Sequence, residues 1–254
     1  MEILNTAIDL TSNSAIAHQE IAPRPRTVKE TGLSEQFLAD LLAKYLNDGG
    51  VLTIGQLAER SALAGTVIEG VLDFLRREGC VEVRGQDEVS GGLRYALTDR
   101  GRNNALDALL KSGYTGPAPV PLDEYIRVVD AHSVHNIVIT REAMLKHFEN
   151  IVIREEKLNQ LGPALHSGRA IFIYGPAGTG KTYITQRLIE MLPDDVLIPY
   201  AVSVNETVIQ LFDPQLHHAC DGLETAPNHM LGQGYDPRFV RCRRPVIISG
   251  GELT

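Results

Sequence analysis

Cysteine is scarce in this chain of 254 residues: there are three, Cys80, Cys220 and Cys242, and no two of them share a Cys-x-x-Cys spacing. This pattern gives no support to a disulfide framework or a zinc ribbon. No apolar run reaches the roughly 18 residues of a membrane-spanning helix, and the N-terminus lacks the basic and apolar parts of a secretory signal. These absences predict a cytoplasmic protein.

Positive charge is also in deficit, with 24 Lys and Arg against 32 Asp and Glu and a net charge of -8. General attraction to phosphate backbones is therefore excluded, and a nucleic-acid partner would need a local basic patch. Hydrophobic residues make up 43% and charged residues 22%, which is ordinary for a folded globular chain. At about 100 to 200 residues per domain, the length allows one large or two ordinary domains.

The first half of the chain has the periodicity of a small helical domain that ends in a hairpin. Residues 1–30 show no sustained apolar period, which predicts a flexible segment. Apolar residues then recur at helical spacing from Leu33 to Leu46, and this predicted helix ends at Gly49-Gly50. The following segments predict a helix at 54–60, a helix starting at the Thr66/Glu69 capping box, strands at 80–84 and 93–97, and a helix at 98–110.

This order, over residues 31–113, resembles a winged helix-turn-helix domain, and Tyr95 to Arg102 is similar to the segment that joins the wing to the last helix in such domains. The resemblance implies a DNA or a protein partner. Residues 31–113 hold nine positive and twelve negative side chains, with Glu69 and Asp73 on the would-be recognition helix. The charge favours a protein partner, with DNA as the alternative.

A proline-rich stretch, 114–121, predicts an extended linker before a second domain at 122–254. Helical patterns follow at 122–129, 141–148 and 155–165. An apolar strand is then predicted at 169–174, directly before the motif G-x-x-x-x-G-K-T and an amphipathic helix.

This strand–loop–helix order predicts a loop that binds the phosphates of ATP through backbone N–H groups. Lys181 is expected on the β- and γ-phosphates and the Thr182 hydroxyl on Mg²⁺, so that these two residues are the candidate catalytic pair. The candidate cofactor-binding residues are Gly175, Pro176, Ala177, Gly178, Thr179, Gly180, Lys181 and Thr182.

The stretch from Gly162 through this loop resembles the start of an AAA+ ATPase module, and 22–254 is similar to bacterial AAA-family ATPases that carry a winged helix. The resemblance implies an α/β P-loop NTPase domain with a parallel sheet. It also implies a cytoplasmic ATPase that binds ATP/ADP, assembles into a homo-oligomeric ring and acts on a protein partner. The alternative is a nucleotide-responsive DNA-binding transcription regulator.

Several parts of an ATPase are missing from the sequence. After Thr182 there is no apolar strand that ends in two acids. Glu252 is the one acid near the end of an apolar strand, and it is the candidate carboxylate for Mg²⁺ or for water activation, with a plain turn residue as the alternative. A five-stranded parallel sheet needs roughly 150 residues, more than the chain has from Arg169 onward, so we expect a C-terminally truncated module. Two further groups of residues are candidates for chemistry. The first is an arginine finger, with a solvated face or an oligomer-interface charge patch as the alternative, among Arg238, Arg241, Arg243 and Arg244. The second is a metal site, although no pair has the spacing of a known zinc motif, among His217, His218, Cys220, Asp221 and His229.

Overall fold

The computed structural model describes residues 19–88, 91–133, 139–167, 169, 171–192, 195–205, 207–220 and 234–244. The chain divides into two compact units, which we describe one at a time. The first contains residues 1–128, 197–213 and 221–240, and the second contains the remaining segments. Within the described ranges, no helix is both long and apolar enough to cross a membrane.

The first unit begins with a winged helix-turn-helix arrangement. Its helices are α1 (Glu35–Gly49), α2 (Ile54–Ser61), α3 (Gly65–Arg77) and α4 (Asp99–Lys111), and its strands are β1 (Val51–Thr53), β2 (Val81–Gln86) and β3 (Leu93–Leu97). The strands form an antiparallel sheet in the order β1-β3-β2. The predicted helices and the two wing strands are confirmed. The sequence analysis missed β1, because three residues are too few to carry a period.

Side chains and glycines set the ends of these helices. Ser34 and Thr98 accept hydrogen bonds from backbone N–H groups at the starts of α1 and α4, and Gly50 ends α1 with φ +72°. The capping box predicted at Thr66 is wrong: α3 starts at Gly65 without a side-chain cap, and the Thr66 hydroxyl donates to the carbonyl of Arg26 instead. The capping box of this domain lies at the start of α2, between Thr53 and Gln56.

One apolar core joins the helices to the sheet. Helix α3 contributes a buried face, and α1 contributes two turns of leucines together with Tyr45. The buried face of α3 consists of Val67, Ile68, Val71, Leu72 and Leu75, as its 3.6-residue period predicts. Its opposite face, which includes Thr66, Glu69 and Asp73, is exposed.

The rest of the first unit contains short strands beside helix α5 (Leu122–Ala131), which begins in this unit. Strand β4 (Val120–Pro121) pairs in parallel with β6 (Ala201–Val204), and β6 pairs antiparallel with β7 (Thr207–Gln210). Ala118 and Val120 in the proline-rich stretch are fully buried. Strands β5 (Asp195–Pro199) and β8 (Phe239–Arg243) form a two-stranded sheet.

The second unit packs three helices around a small apolar core. They are α6 (Arg141–His147), α7 (Glu155–His166) and α8 (Lys181–Ile189), and Met144, Phe148, Leu158, Leu165 and Leu188 are buried between them. These helices confirm the predicted ones. The strand predicted at 169–174 is wrong for its described residues, since Ile171 to Tyr174 are in no strand. No parallel sheet borders the glycine-rich loop within the described residues of this unit.

Candidate functional site

The glycine-rich segment 175–182 forms a curved loop that leads into helix α8. Gly175, Gly178 and Gly180 have φ of +151°, +79° and +75°, which side chains other than glycine rarely adopt. A Cβ atom added to Gly178 or Gly180 would meet no other atom within 4 Å. Backbone conformation therefore explains these two glycines. All the residues from Gly175 to Gly180 are exposed.

A row of free backbone donors lines this loop. Among the described residues, no group accepts a hydrogen bond from the N–H groups of Gly178, Gly180, Lys181 or Thr182. The last two begin α8, where the helix dipole adds positive potential. This arrangement fits an anion with several oxygens, such as a phosphate.

The Lys181 ammonium group bends back over the loop. Its Nζ donates to the carbonyl oxygens of Gly175 at 3.0 Å and Pro176 at 2.6 Å, and the Thr179 hydroxyl also donates to the Pro176 carbonyl at 2.9 Å. These bonds hold one positive charge beside the donor row. An anionic ligand would exchange neutral carbonyl partners of Lys181 for charged ones, which form stronger hydrogen bonds.

The Thr182 side chain is exposed in the first turn of α8. Its hydroxyl makes no hydrogen bond within the described part of the chain, so its oxygen is available as a ligand. Glu252, the candidate acidic residue, lies outside the described residues.

Arg238 is no arginine finger, because its side chain is completely buried. The guanidinium group donates to Oδ2 of Asp236 at 2.7 and 2.9 Å, to Oδ1 of Asp236 at 3.2 Å, and to the carbonyl oxygens of Thr31 and Pro119. It also forms an ion pair with Glu124 at 3.2 Å. The group therefore ties together segments that are far apart in the sequence of the first unit.

The other arginines of that set belong to the second unit. Arg241 forms an ion pair with Asp195 at 2.5 Å, and Arg244 donates to the carbonyl of His132 at 3.0 Å. Arg243 is exposed.

The described residues give no support to a metal site among these His and Cys residues. Asp221 and His229 lie outside the described residues. No group of three or more His, Cys, Asp or Glu side chains in the described ranges is placed to hold a metal ion. Cys242 is buried, and this burial raises the pKa of its thiol to about 12.

Most cations of the winged helix are neutralised by neighbouring carboxylates. Six arginines between α2 and α4 form ion pairs of 4.0 Å or less: Arg60, Arg76, Arg77, Arg84, Arg100 and Arg102. Lys44 is buried and donates to the carbonyl oxygens of Ser112 and Tyr114, and this burial lowers its pKa. The count of nine positive side chains in 31–113 therefore overstates the positive charge that is available to a partner.

The sequence analysis missed a basic segment that lies against helix α3. The Thr66 hydroxyl donates to the Arg26 carbonyl at 2.7 Å, and a Cβ on Gly70 would lie 3.5 Å from the Val28 side chain. Residues 26–29 were assigned to a flexible lead-in because they show no period, and the sequence carries no local signal for a contact across forty residues.

Comparison with known proteins gives no family: no family model and no curated protein matches the chain. Solved structures that are similar to it include a transcriptional regulator designated PA4135, with 16% identity, 63% of this chain and 98% of that chain covered, and a TM-score of 0.27. Two others are an organohalide-sensing regulator, RdhR, bound to 2,4-dichlorophenol and free of ligand. They have 15% and 17% identity, cover 69% of this chain and 99% and 100% of theirs, and have TM-scores of 0.27.

These findings correct the identification as an AAA+ ATPase. No family model and no curated protein matches the chain, and the described residues of the second unit lack a parallel sheet beside the glycine-rich loop. The assignments of the chain as an enzyme and as a hydrolase followed from that resemblance. These assignments are therefore wrong as well. The winged-helix description of the first unit rests on its own element order and strand register.

Proposed function

We propose that this protein is a cytoplasmic DNA-binding transcription regulator of the winged-helix type that responds to a nucleotide. The observation that carries the proposal is the α1-β1-α2-α3-β2-β3-α4 order, in which α3 keeps one face buried and the other exposed. That exposed face is available to enter the major groove of DNA, as the second helix of a helix-turn-helix does. The similar solved structures are those of transcriptional regulators, and the same role is proposed here.

The nucleotide part of the proposal rests on loop 175–182. Its unused N–H groups and the Lys181 ammonium group fit the phosphates of ATP, and Thr182 fits the accompanying Mg²⁺ ion. In this role the residues bind and orient phosphate, and the bound ATP favours one state of the protein over another.

The test of the nucleotide site is the binding of a fluorescent ATP analogue, titrated with Mg²⁺ and with EDTA. Lys181→Ala should weaken binding at least tenfold, because the lost contact is charge-assisted. Thr182→Ala should lose the benefit of Mg²⁺ and keep the affinity seen in EDTA. Lys157→Ala is the matched control, because Lys157 is an exposed lysine of the same unit whose side chain bonds to Gln160 and to no other residue that the structure describes. Equal affinity in Lys181→Ala and Lys157→Ala would defeat the assignment.

The test of regulation is the affinity for a labelled 30-base-pair duplex with and without Mg-ATP. Ligand coupling of ordinary strength would change the Kd between about 5-fold and 150-fold. Lys181→Ala should keep the DNA affinity of the nucleotide-free protein and lose its response to ATP. A DNA affinity that ATP leaves unchanged would refute the response to nucleotide while leaving DNA binding in place.

A second candidate function, protein docking by the winged helix, is favoured by the charge of α3. Glu69 and Asp73 are exposed on the face that would approach DNA phosphates, and Asp73 neutralises Arg76 at 3.7 Å. Failure of the full chain to bind duplex DNA at low salt would favour this function over DNA binding.

A further inference from the structure

Two exposed cations of the winged-helix region lie in the segment before α1, and neither forms a close ion pair among the described residues. Arg26 and Lys29 are exposed, and no carboxylate of the described residues is within 4.0 Å of either side-chain cation. They differ in this respect from the six paired arginines of the domain. We call residues 26–29 the arm.

The arm is held in place from both sides. Before it, the Ala22 carbonyl accepts a hydrogen bond from the Asp236 backbone at 2.8 Å, and Ala22 and Pro25 are buried. After it, the Thr31 carbonyl accepts from Arg238 at 3.0 Å. The arm is therefore fixed to the domain, so its cations lose less conformational entropy on binding than they would in a free tail.

The arm lies beside the first turns of α3, the helix proposed to enter the groove. The contacts are the hydrogen bond from Thr66 to the Arg26 carbonyl and the packing of Val28 against Gly70. The start of α3 also has free donors, because no side chain caps it and the N–H groups of Gly65 and Thr66 donate to no described residue. Such a helix start favours an anion.

From this placement we infer that Arg26 and Lys29 contact the phosphate backbone of duplex DNA beside the groove that α3 enters. The inference rests on the proposed DNA-binding function and adds the residues that supply its positive charge. Phosphate contacts of this kind fix the position of a protein on DNA and do not read the sequence. They would offset the carboxylates of Glu69 and Asp73 on the exposed face of α3.

Glu30 moderates the positive charge of the arm. Its carboxylate accepts a hydrogen bond from the Arg26 backbone at 2.8 Å, and this bond is the main cause of a lowered pKa, so the group is ionised at neutral pH. Glu30→Gln keeps an acceptor for that bond and removes the negative charge. It should therefore strengthen DNA binding, the opposite of the effect expected for the cations.

The experiment measures the Kd of the full-length chain for a labelled 30-base-pair duplex of mixed sequence, by fluorescence anisotropy from 0.05 to 0.3 M salt. Each phosphate contact contributes about eightfold to the affinity at about 0.1 M salt relative to about 1 M. Arg26→Ala/Lys29→Ala should thus weaken binding about 60-fold and make the slope of log K against log salt about 1.8 less steep. Arg26→Lys/Lys29→Arg should keep both the affinity and the slope.

Lys111→Ala is the matched control for the loss of charge. Lys111 is an exposed lysine in the last turn of α4 with no ion pair among the described residues. It should change the Kd less than twofold. Circular dichroism melts of every variant should match the wild type, since the substituted side chains are exposed.

The possible results separate the inference from the function on which it rests. If the wild type binds the duplex and the arm variant binds no more weakly than Lys111→Ala, the inference is wrong and DNA binding stands. If the wild type does not bind at 0.05 M salt, both are wrong and a protein partner replaces DNA. A 60-fold loss together with a reduced salt slope supports the inference.

Discussion

Some substitutions in the first unit introduce no backbone strain. Among these, removal of the buried guanidinium group of Arg238 should lower the free energy of unfolding the most. Arg238 and Asp236 are both completely buried, and Glu124 is mostly buried beside them. Arg238→Ala would leave the carboxylate of Asp236 without its bidentate partner in an apolar setting. Breaking a buried pair in this way costs about 3 to 5 kcal/mol.

The loss would have a second component, because Arg238 also bonds to backbone. Its Nη1 donates to the carbonyl oxygens of Thr31 at 3.0 Å and Pro119 at 3.2 Å. Each buried carbonyl left without a donor costs about 1 kcal/mol or more. We therefore expect a free-energy loss of about 4 kcal/mol or more, a large fraction of the stability of a typical domain.

Urea unfolding followed by circular dichroism measures this loss, and two further variants make the reasoning specific. Arg60→Ala breaks the exposed ion pair with Asp48 at 2.9 Å and should cost at most about 1 kcal/mol. Arg238→Met/Asp236→Asn removes both buried charges and should be more stable than Arg238→Met alone. Equal losses for Arg238→Ala and Arg60→Ala would refute the account, and so would a double variant less stable than Arg238→Met.

Two further predictions concern the same unit. A Cβ atom on Gly101 would lie 1.9 Å from the backbone oxygen of Cys80, so Gly101→Ala should abolish folding of the winged helix. Gly113 has open space around it, and Gly113→Ala should therefore leave the melting temperature of the winged helix nearly unchanged. Burial raises the pKa of Glu124 above 4.5 and outweighs the opposing charge of Arg238, so the folded protein binds this proton at a higher pH than the unfolded chain. The contribution of Glu124 to the free energy of unfolding should therefore rise as the pH falls through the raised pKa to 4.5. Melting temperatures of the wild type and Glu124→Gln from pH 7 to 4.5 check this sign, and a gap between them that is constant over the range would contradict it.

Much of the first unit could be predicted from local pattern. The apolar period of α3, the glycines at the end of α1 and the alternation of β2 and β3 reflect interactions within a few residues or across one hairpin. The short strand β1 escaped prediction, since its identity depends on pairing with β3 more than forty residues later. The Thr66 capping box failed for a related reason: the hydroxyl has a distant partner, the Arg26 carbonyl, that a local rule does not include.

The candidate site also has one part that local sequence pattern predicted and one part that it did not. The glycine positions and the lysine of loop 175–182 belong to a local motif, and the structure gives those glycines the positive φ values that the motif requires. The AAA+ identification extended this local motif to a whole sheet, and that step was wrong. A loop of eight residues constrains its own backbone and carries no information on which strands lie beside it.

The sequence by itself determined the helices, the glycine end of α1 and the positions of the residues in the glycine-rich loop, because these depend on backbone preferences and on periods of two or 3.6 residues. Only the tertiary structure decided that Arg238 is a buried tie rather than a surface charge, and that the arm lies beside α3. An arginine has the same formula in water and in a core, and its role is set by the neighbours that folding brings to it. Those neighbours, Thr31, Pro119 and Glu124, come from more than a hundred residues away in the chain.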